Sequence, residues 1–117
     1  MVGTILSRIQ IAVGDITRLD VDAIVTAANQ HLAGGGGVDG AVHRAAGPDL
    51  VAASRQLAPC PAGEARLTPG FRLGIPWVIH AVGPIYANGR SGERELLAAA
   101  YRSSLQLARE NQLRTLA

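Results

Sequence analysis

Ala23-Ile24-Val25-Thr26-Ala27-Ala28 is followed, five residues later, by Gly34-Gly35-Gly36-Gly37-Val38-Asp39-Gly40-Ala41-Val42-His43-Arg44-Ala45-Ala46-Gly47. The first segment is a short, unbroken apolar run, the pattern of a strand covered on both faces. From Val38 to Ala46 the spacing changes: Val38, Ala41, Val42 and Ala45 share one face of a helix. Four consecutive glycines in between are costly in chain entropy, which a sharp turn or a close ligand would justify. Glycine N–H groups leading into a helix N-terminus form an anion site, because unpaired donors and the helix dipole act together. A plain surface loop is the other reading.

Working outward, Gly47-Pro48 stops the helix, and Leu50, Ala53, Ser54 and Leu57 predict a second one ended by Pro59 and Pro61. Glu64 to Thr68 reads as a short strand and Trp77 to Val82 as another doubly buried one. Upstream, Ile5, Ser7, Ile9, Ile11 and Val13 alternate with other residues at the period of a half-buried strand. Ser91, with Glu93 and Glu95 behind it, predicts the N-cap of a long helix through Leu97, Tyr101, Leu105 and Ala108 to about Asn111. Trp77 and Tyr101 are read as core. Arg114 to Ala117 reads as the entry to a further strand. Strands alternating with helices, in a single domain, give an α/β protein with a mixed, mainly parallel sheet.

Composition narrows the function classes. Of 117 residues, 48% are hydrophobic and 17% charged, which suits a globular core and excludes a disordered chain. No apolar run reaches the roughly 20 residues of a membrane span, and Met1 to Gln10 lack the pattern of a secretory leader. A single cysteine, Cys60, fits a reducing compartment, so the expected location is cytoplasmic with no membrane partner. The eleven basic residues are all arginines, spread from Arg8 to Arg114 against nine acids. Without a cationic cluster, and with 3% aromatics, no nucleic-acid partner is expected.

Gly35, Gly37 and Gly40 satisfy G-x-G-x-x-G, but no acid stands between Asp49 and Glu64 to hold a ribose, so a nicotinamide dinucleotide site is disfavoured. Asp39, in the first helical turn, is either a group beside the bound anion or a dipole-matching carboxylate. Asn29 sits where α/β folds place ligand groups, and equally where a turn residue would. His43 and His80 are read as hydrogen-bonded core histidines. With His31 and Cys60 they show no metal-ligand spacing, so no metal is expected.

Gly14-Asp15-Ile16-Thr17, Val21 to Val25, Ala27-Ala28-Asn29, the run from Gly34 to Gly47, and Val78-Ile79-His80 with Val82-Gly83-Pro84 together closely resemble the macrodomain family. The similarity is to its O-acetyl-ADP-ribose deacetylase and mono-ADP-ribosyl hydrolase branch. It covers nearly the whole chain in order. The resemblance implies a three-layer α/β/α fold with an ADP-ribose cleft at the strand ends. It would give Asp15 the adenine amino group, with the Ile16 backbone beside it. Gly35, Gly36, Gly37 and Val38 would line the diphosphate and distal ribose. Asn29 would orient the ribose hydroxyls, and Asp39 would position or activate a water, making Asn29 and Asp39 the catalytic pair. The implied partners are ADP-ribose, O-acetyl-ADP-ribose and mono-ADP-ribosylated proteins, with no cofactor; a non-catalytic binding module is the alternative. Two departures stand out. Thr26 replaces the usual Asn, and family members continue past the position of Ala117 into another strand and a second phosphate loop. The chain therefore reads as the N-terminal two-thirds of a macrodomain, expected to leave an apolar sheet edge open, to fold poorly and to be weakly active alone.

Overall fold

The computed structural model describes residues 4–117, so the first three residues of the stretch read for a leader lie outside it. Three strands, β1 (Ala23–Ala27), β2 (Ala65–Pro69) and β3 (Trp77–Ala81), form one sheet in the order β1-β3-β2. β3 is central, parallel to β1 and antiparallel to β2, so the sheet is mixed. Helices α1 (Gly37–Ala46) and α2 (Pro48–Arg55) cover one face, and α3 (Glu93–Glu110) covers the other.

Strand alternation assigns each residue to a layer. Ile24 and Val78 pack with Val42, Ala46, Leu50 and Ile75 beneath α1 and α2. Ala23, Ile79 and Ala65 pack with Ala108 beneath α3. Both faces of β3 and of the start of β1 are therefore buried, which is why their sequences lack alternation, while Val25 and Ala27 stay partly open on the α3 side. A third cluster, Leu32, Cys60 and Val82, lies under the loop that follows β1.

Four expectations need correction. The alternating Ile5–Val13 segment is not a strand: Ile5–Arg8 is a 3-10 turn, and Ile11 and Val13 are 93% and 102% exposed. Period-two patterning makes a strand only where a neighbour takes up its backbone donors and acceptors. Among the described residues none lies alongside. α2 ends at Arg55, leaving Leu57 outside the helix. Ser91 does not cap α3, because Gly92, at φ +78°, holds the N-cap position. Glu93 instead ties down the loop ahead of the helix, its carboxylate accepting N–H bonds from Ala87, Asn88, Gly89 and Ser91 at 2.7–3.0 Å. Those bonds hold its pKa down at about 2. Finally, α3 packs on the sheet through its small residues Ala100, Ser104 and Ala108, so Tyr101 is exposed with Leu97 and Leu105 on the adjoining stripe.

That stripe lines an apolar groove of about 460 Å³ together with Val25, Ala27 and Leu116. The predicted strand entry near the end is present as a parallel bridge between Leu116 and Ala23. It is anchored by Asp22, whose carboxylate accepts from the N–H groups of Arg114 and Thr115 at 2.7 and 3.1 Å.

Candidate functional site

The β1–α1 loop stands on a fixed base. Leu32 is buried among Cys60 and Val82 at φ +50°, an uncommon conformation for a branched residue. Its carbonyl accepts from the buried Ser54 hydroxyl at 2.7 Å. The Asn29 Oδ1 accepts from the N–H groups of His31 and Ala33 at 3.1 and 3.3 Å, and its Nδ2 donates to the Gly34 carbonyl at 2.9 Å. The turn reading of Asn29 is what these bonds show: its side chain closes the loop backbone.

Above that base, Gly35, Gly36, Gly37 and Val38 are exposed. Gly37 has φ +59°, which favours glycine. The Gly36 carbonyl accepts from Gly40 N–H at 3.1 Å, so the N–H groups of Gly37, Val38 and Asp39 precede the helical ladder. Gly36 offers them no side-chain cap. At Gly40 a Cβ would stand 2.8 Å from the Gly35 carbonyl oxygen, so this glycine lets α1 press directly against the loop.

Asp39 lies at the centre and is only 4% exposed. Its Oδ1 accepts from the Thr26 hydroxyl at 2.9 Å and sits 3.6 Å from His43 Nε2, one helical turn on. Its Oδ2 lies 3.5 Å from where a Gly35 Cβ would be, and Asn29 Nδ2 lies 3.9 Å from that same point. A carboxylate oxygen and an amide donor therefore face one small space over Gly35, beside the N–H groups of the helix start, which have no partner among the described residues. That pairing suits orienting and deprotonating a water near a sugar bound over the loop.

Beneath Asp39, His80 is fully buried, with Nε2 at 2.8 Å from the Thr68 hydroxyl and Nδ1 without a partner among the described residues. Burial, reinforced by the neighbouring His43, lowers its pKa to about 4, so it is neutral at physiological pH. Linear spacing gave no hint of metal ligands, yet folding brings one donor atom each from Asp39, His43 and His80 within 4.8 Å of one another. Carboxylate and imidazole are donors a transition ion accepts. Of the three, Asp39 already accepts from Thr26, and His80 Nε2 already pairs with Thr68. The sequence singled out Thr26 only as a departure from the usual Asn, not as a partner of Asp39, and it did not mark Ser54 as a support of the loop. Polar side chains at apolar-run and helix-core positions were the available signal.

Asp15 and Ile16 lie apart from this group, at the 3-10 turn Ile16–Arg18, where Ile16 packs against the core that contains Val42. The Asp15 Oδ1 accepts from the Thr17 N–H and hydroxyl at 2.9 and 2.7 Å. Those bonds, the hydroxyl's first, hold its pKa below the usual carboxylate value. Its Oδ2 lies 3.7 Å from the Arg18 guanidinium.

The Macro domain family profile matches residues 25–117. This chain belongs to the macrodomain family. A Macro domain-containing protein of Lactiplantibacillus plantarum is 58% identical over 110 residues, covering 94% of this chain and 64% of the relative. The O-acetyl-ADP-ribose deacetylase of Salmonella gallinarum is 53% identical over 115 residues, covering 95% and 64%. The Oceanobacillus iheyensis macrodomain solved with ADP superimposes at a TM-score of 0.83, is 43% identical, and covers 89% of this chain and 58% of that one. A variant of the same protein was solved with ADPR. The α/β sheet with helices on both faces is therefore the macrodomain fold, and the chain spans less than two thirds of these relatives' length.

Proposed function

We propose that this macrodomain binds ADP-ribose and hydrolyses an ester at its distal ribose. The observation that carries the reading is the convergence of Asp39 Oδ2 and Asn29 Nδ2 over Gly35, next to the N–H groups of Gly37, Val38 and Asp39, which have no partner among the described residues. The diphosphate lies over Gly35, Gly36, Gly37 and Val38, where backbone donors and the helix dipole favour anionic oxygen. The adenine lies toward Asp15 and Ile16. Asn29 orients the distal ribose, and Asp39 takes a proton from a water held at Oδ2. With O-acetyl-ADP-ribose, that water attacks the acetyl carbonyl. The bond from the acyl carbon to the ribose oxygen breaks, acetate leaves, and the proton returns to the ribose hydroxyl. A mono-ADP-ribosylated protein carboxylate is the second ester of this class, and the cytoplasm the proposed setting. The relatives named above, one of them an O-acetyl-ADP-ribose deacetylase, support this choice.

A binding module without turnover is the competing reading, favoured by the commitment of the Asn29 amide to the loop backbone. Calorimetric titration with ADP-ribose, AMP and NAD beside a turnover assay on O-acetyl-ADP-ribose separates the two. Tighter binding of ADP-ribose than of AMP, with release of acetate, is the expected outcome. Equal affinity for AMP would show that the diphosphate and distal ribose are not read, and tight binding without acetate release would select the binding module.

A further inference from the structure

We infer that Thr26 is a positioning residue for Asp39: its hydroxyl holds one carboxylate oxygen so that the other is presented to the space over Gly35. The inference rests on the hydrolase reading above, and it comes from the position of Thr26 in the sheet. Thr26 lies on the β1 face that also carries Ile24, opposite His80 on β3, and is fully buried beneath α1. A strand position facing a core favours an apolar residue such as the isosteric Val. A hydroxyl there is costly unless it is bonded. The bond that satisfies it goes to Asp39 Oδ1, from strand to helix, at 2.9 Å.

A carboxylate has two equivalent oxygens and exchanges them by rotating about its last torsion. Two groups break that equivalence here. Thr26 approaches Oδ1 from the sheet, and His43 Nε2 stands 3.6 Å from the same oxygen within α1. Oδ2 is left facing Gly35 and Asn29. His43 alone, from the flank, could engage either oxygen. Thr26 is bonded to only one. Loss of its hydroxyl would let the carboxylate turn toward His43 and reduce the time that Oδ2 holds a water in line. Substrate contacts to the loop backbone would be untouched, so the effect belongs in turnover and not in binding.

The test compares Thr26→Val and Thr26→Ser with the parent chain, using O-acetyl-ADP-ribose turnover, calorimetric ADP-ribose affinity and thermal melting. Thr26→Val should lower kcat about tenfold, the scale of a misplaced catalytic group, with KM and ADP-ribose affinity unchanged. Thr26→Ser should restore most of it. A Thr26→Val kcat within about twofold of the parent, or a Ser variant no better than Val, overturns the inference. Equal loss of binding and turnover assigns Thr26 a packing role and also overturns it. A separate readout is the Asp39 side-chain carboxyl carbon resonance, assigned by its disappearance in Asp39→Asn. It should shift and broaden in Thr26→Val but not in Thr26→Ser. If the parent releases no acetate, the hydrolase reading fails, and this resonance still decides whether Thr26 fixes the carboxylate; no change in the Val spectrum rejects it.

Discussion

Gly40→Ala perturbs the contact between α1 and its own loop. The added Cβ would sit 2.8 Å from the Gly35 carbonyl oxygen and 3.1 Å from Arg44 Nη1. Close C···O contacts start at about 3.3 Å, so the Gly35 carbonyl must retreat by about half an ångström while the flexible Arg44 swings aside. Two energies oppose each other. Replacing glycine by alanine inside a helix favours folding by about 1 kcal/mol, whereas overpacking costs roughly 1–3 kcal/mol. The net loss of stability should therefore stay below about 2 kcal/mol, because consecutive glycines yield easily. Binding has no such compensation. The displaced carbonyl carries the Gly36 N–H with it and opens the space between Asp39 Oδ2 and Asn29 Nδ2. A charge-assisted hydrogen bond is worth about 1.5–3 kcal/mol, so ADP-ribose affinity should fall roughly tenfold or more. Urea denaturation and calorimetric titration of parent and variant measure the two effects separately. A variant that melts like the parent and binds ADP-ribose equally well would show that the ligand does not lie over this loop.

Other expectations follow from the same geometry. Asp39→Ala should reduce O-acetyl-ADP-ribose turnover roughly a hundredfold or more, the range of a general base; its stability cost should be about 1–3 kcal/mol, because the Thr26 hydroxyl is left buried and unpaired. Unchanged acetate release removes Asp39 from the reaction. Ser54→Ala leaves the Leu32 carbonyl without its buried donor, so it should cost about 1–3 kcal/mol in urea denaturation and speed amide exchange between residues 30 and 36; parent-like exchange would separate Ser54 from the loop. Acid stability should decline in two stages, since both groups have lowered folded-state pKa values and the unfolded chain takes up each proton first. The His80 contribution is complete above pH 6.5 and lost as pH falls through about 4, and that of Glu93 is complete above pH 4.5 and lost through about 2. Glu93→Gln should flatten only the lower stage of a stability-against-pH curve, and an altered upper stage would contradict this assignment.

The parts of the fold legible in the sequence were those fixed by local chemistry. Unbroken apolar runs marked β1 and β3, and Gly47-Pro48 marked the junction of α1 and α2, because local backbone conformation and burial on both faces leave direct traces in residue type. The Ile5–Val13 segment misled because alternation states a preference for a partner and cannot supply one. The Ser91 cap misled because Gly92, in the left-handed region, takes the N-cap position, and Glu93 ties down the loop N–H groups ahead of the helix, that of Ser91 included. At the site, the glycine loop and Asp39 were visible as neighbours in sequence. The approach of Thr26 and His80 to Asp39 was not, because it depends on the parallel register of β1 with β3 and on the helix lying over both. Such proximity is a property of the sheet, and no residue spacing records it.

The bare start of α1 has a thermodynamic consequence. A helix whose N-cap is glycine lacks the roughly 1 kcal/mol that a Ser or Asp would contribute there. An anion seated on the Gly37, Val38 and Asp39 amides would supply it instead, so the ligand completes the secondary structure as well as filling a cleft. First-turn amides of α1 would then exchange with solvent faster than those from Val42 to Ala46 in the free protein and slow together when ligand is added. At a hundredfold excess over Kd, ligand would add about 2.7 kcal/mol to global stability. Helix order and occupancy would be two readings of one equilibrium.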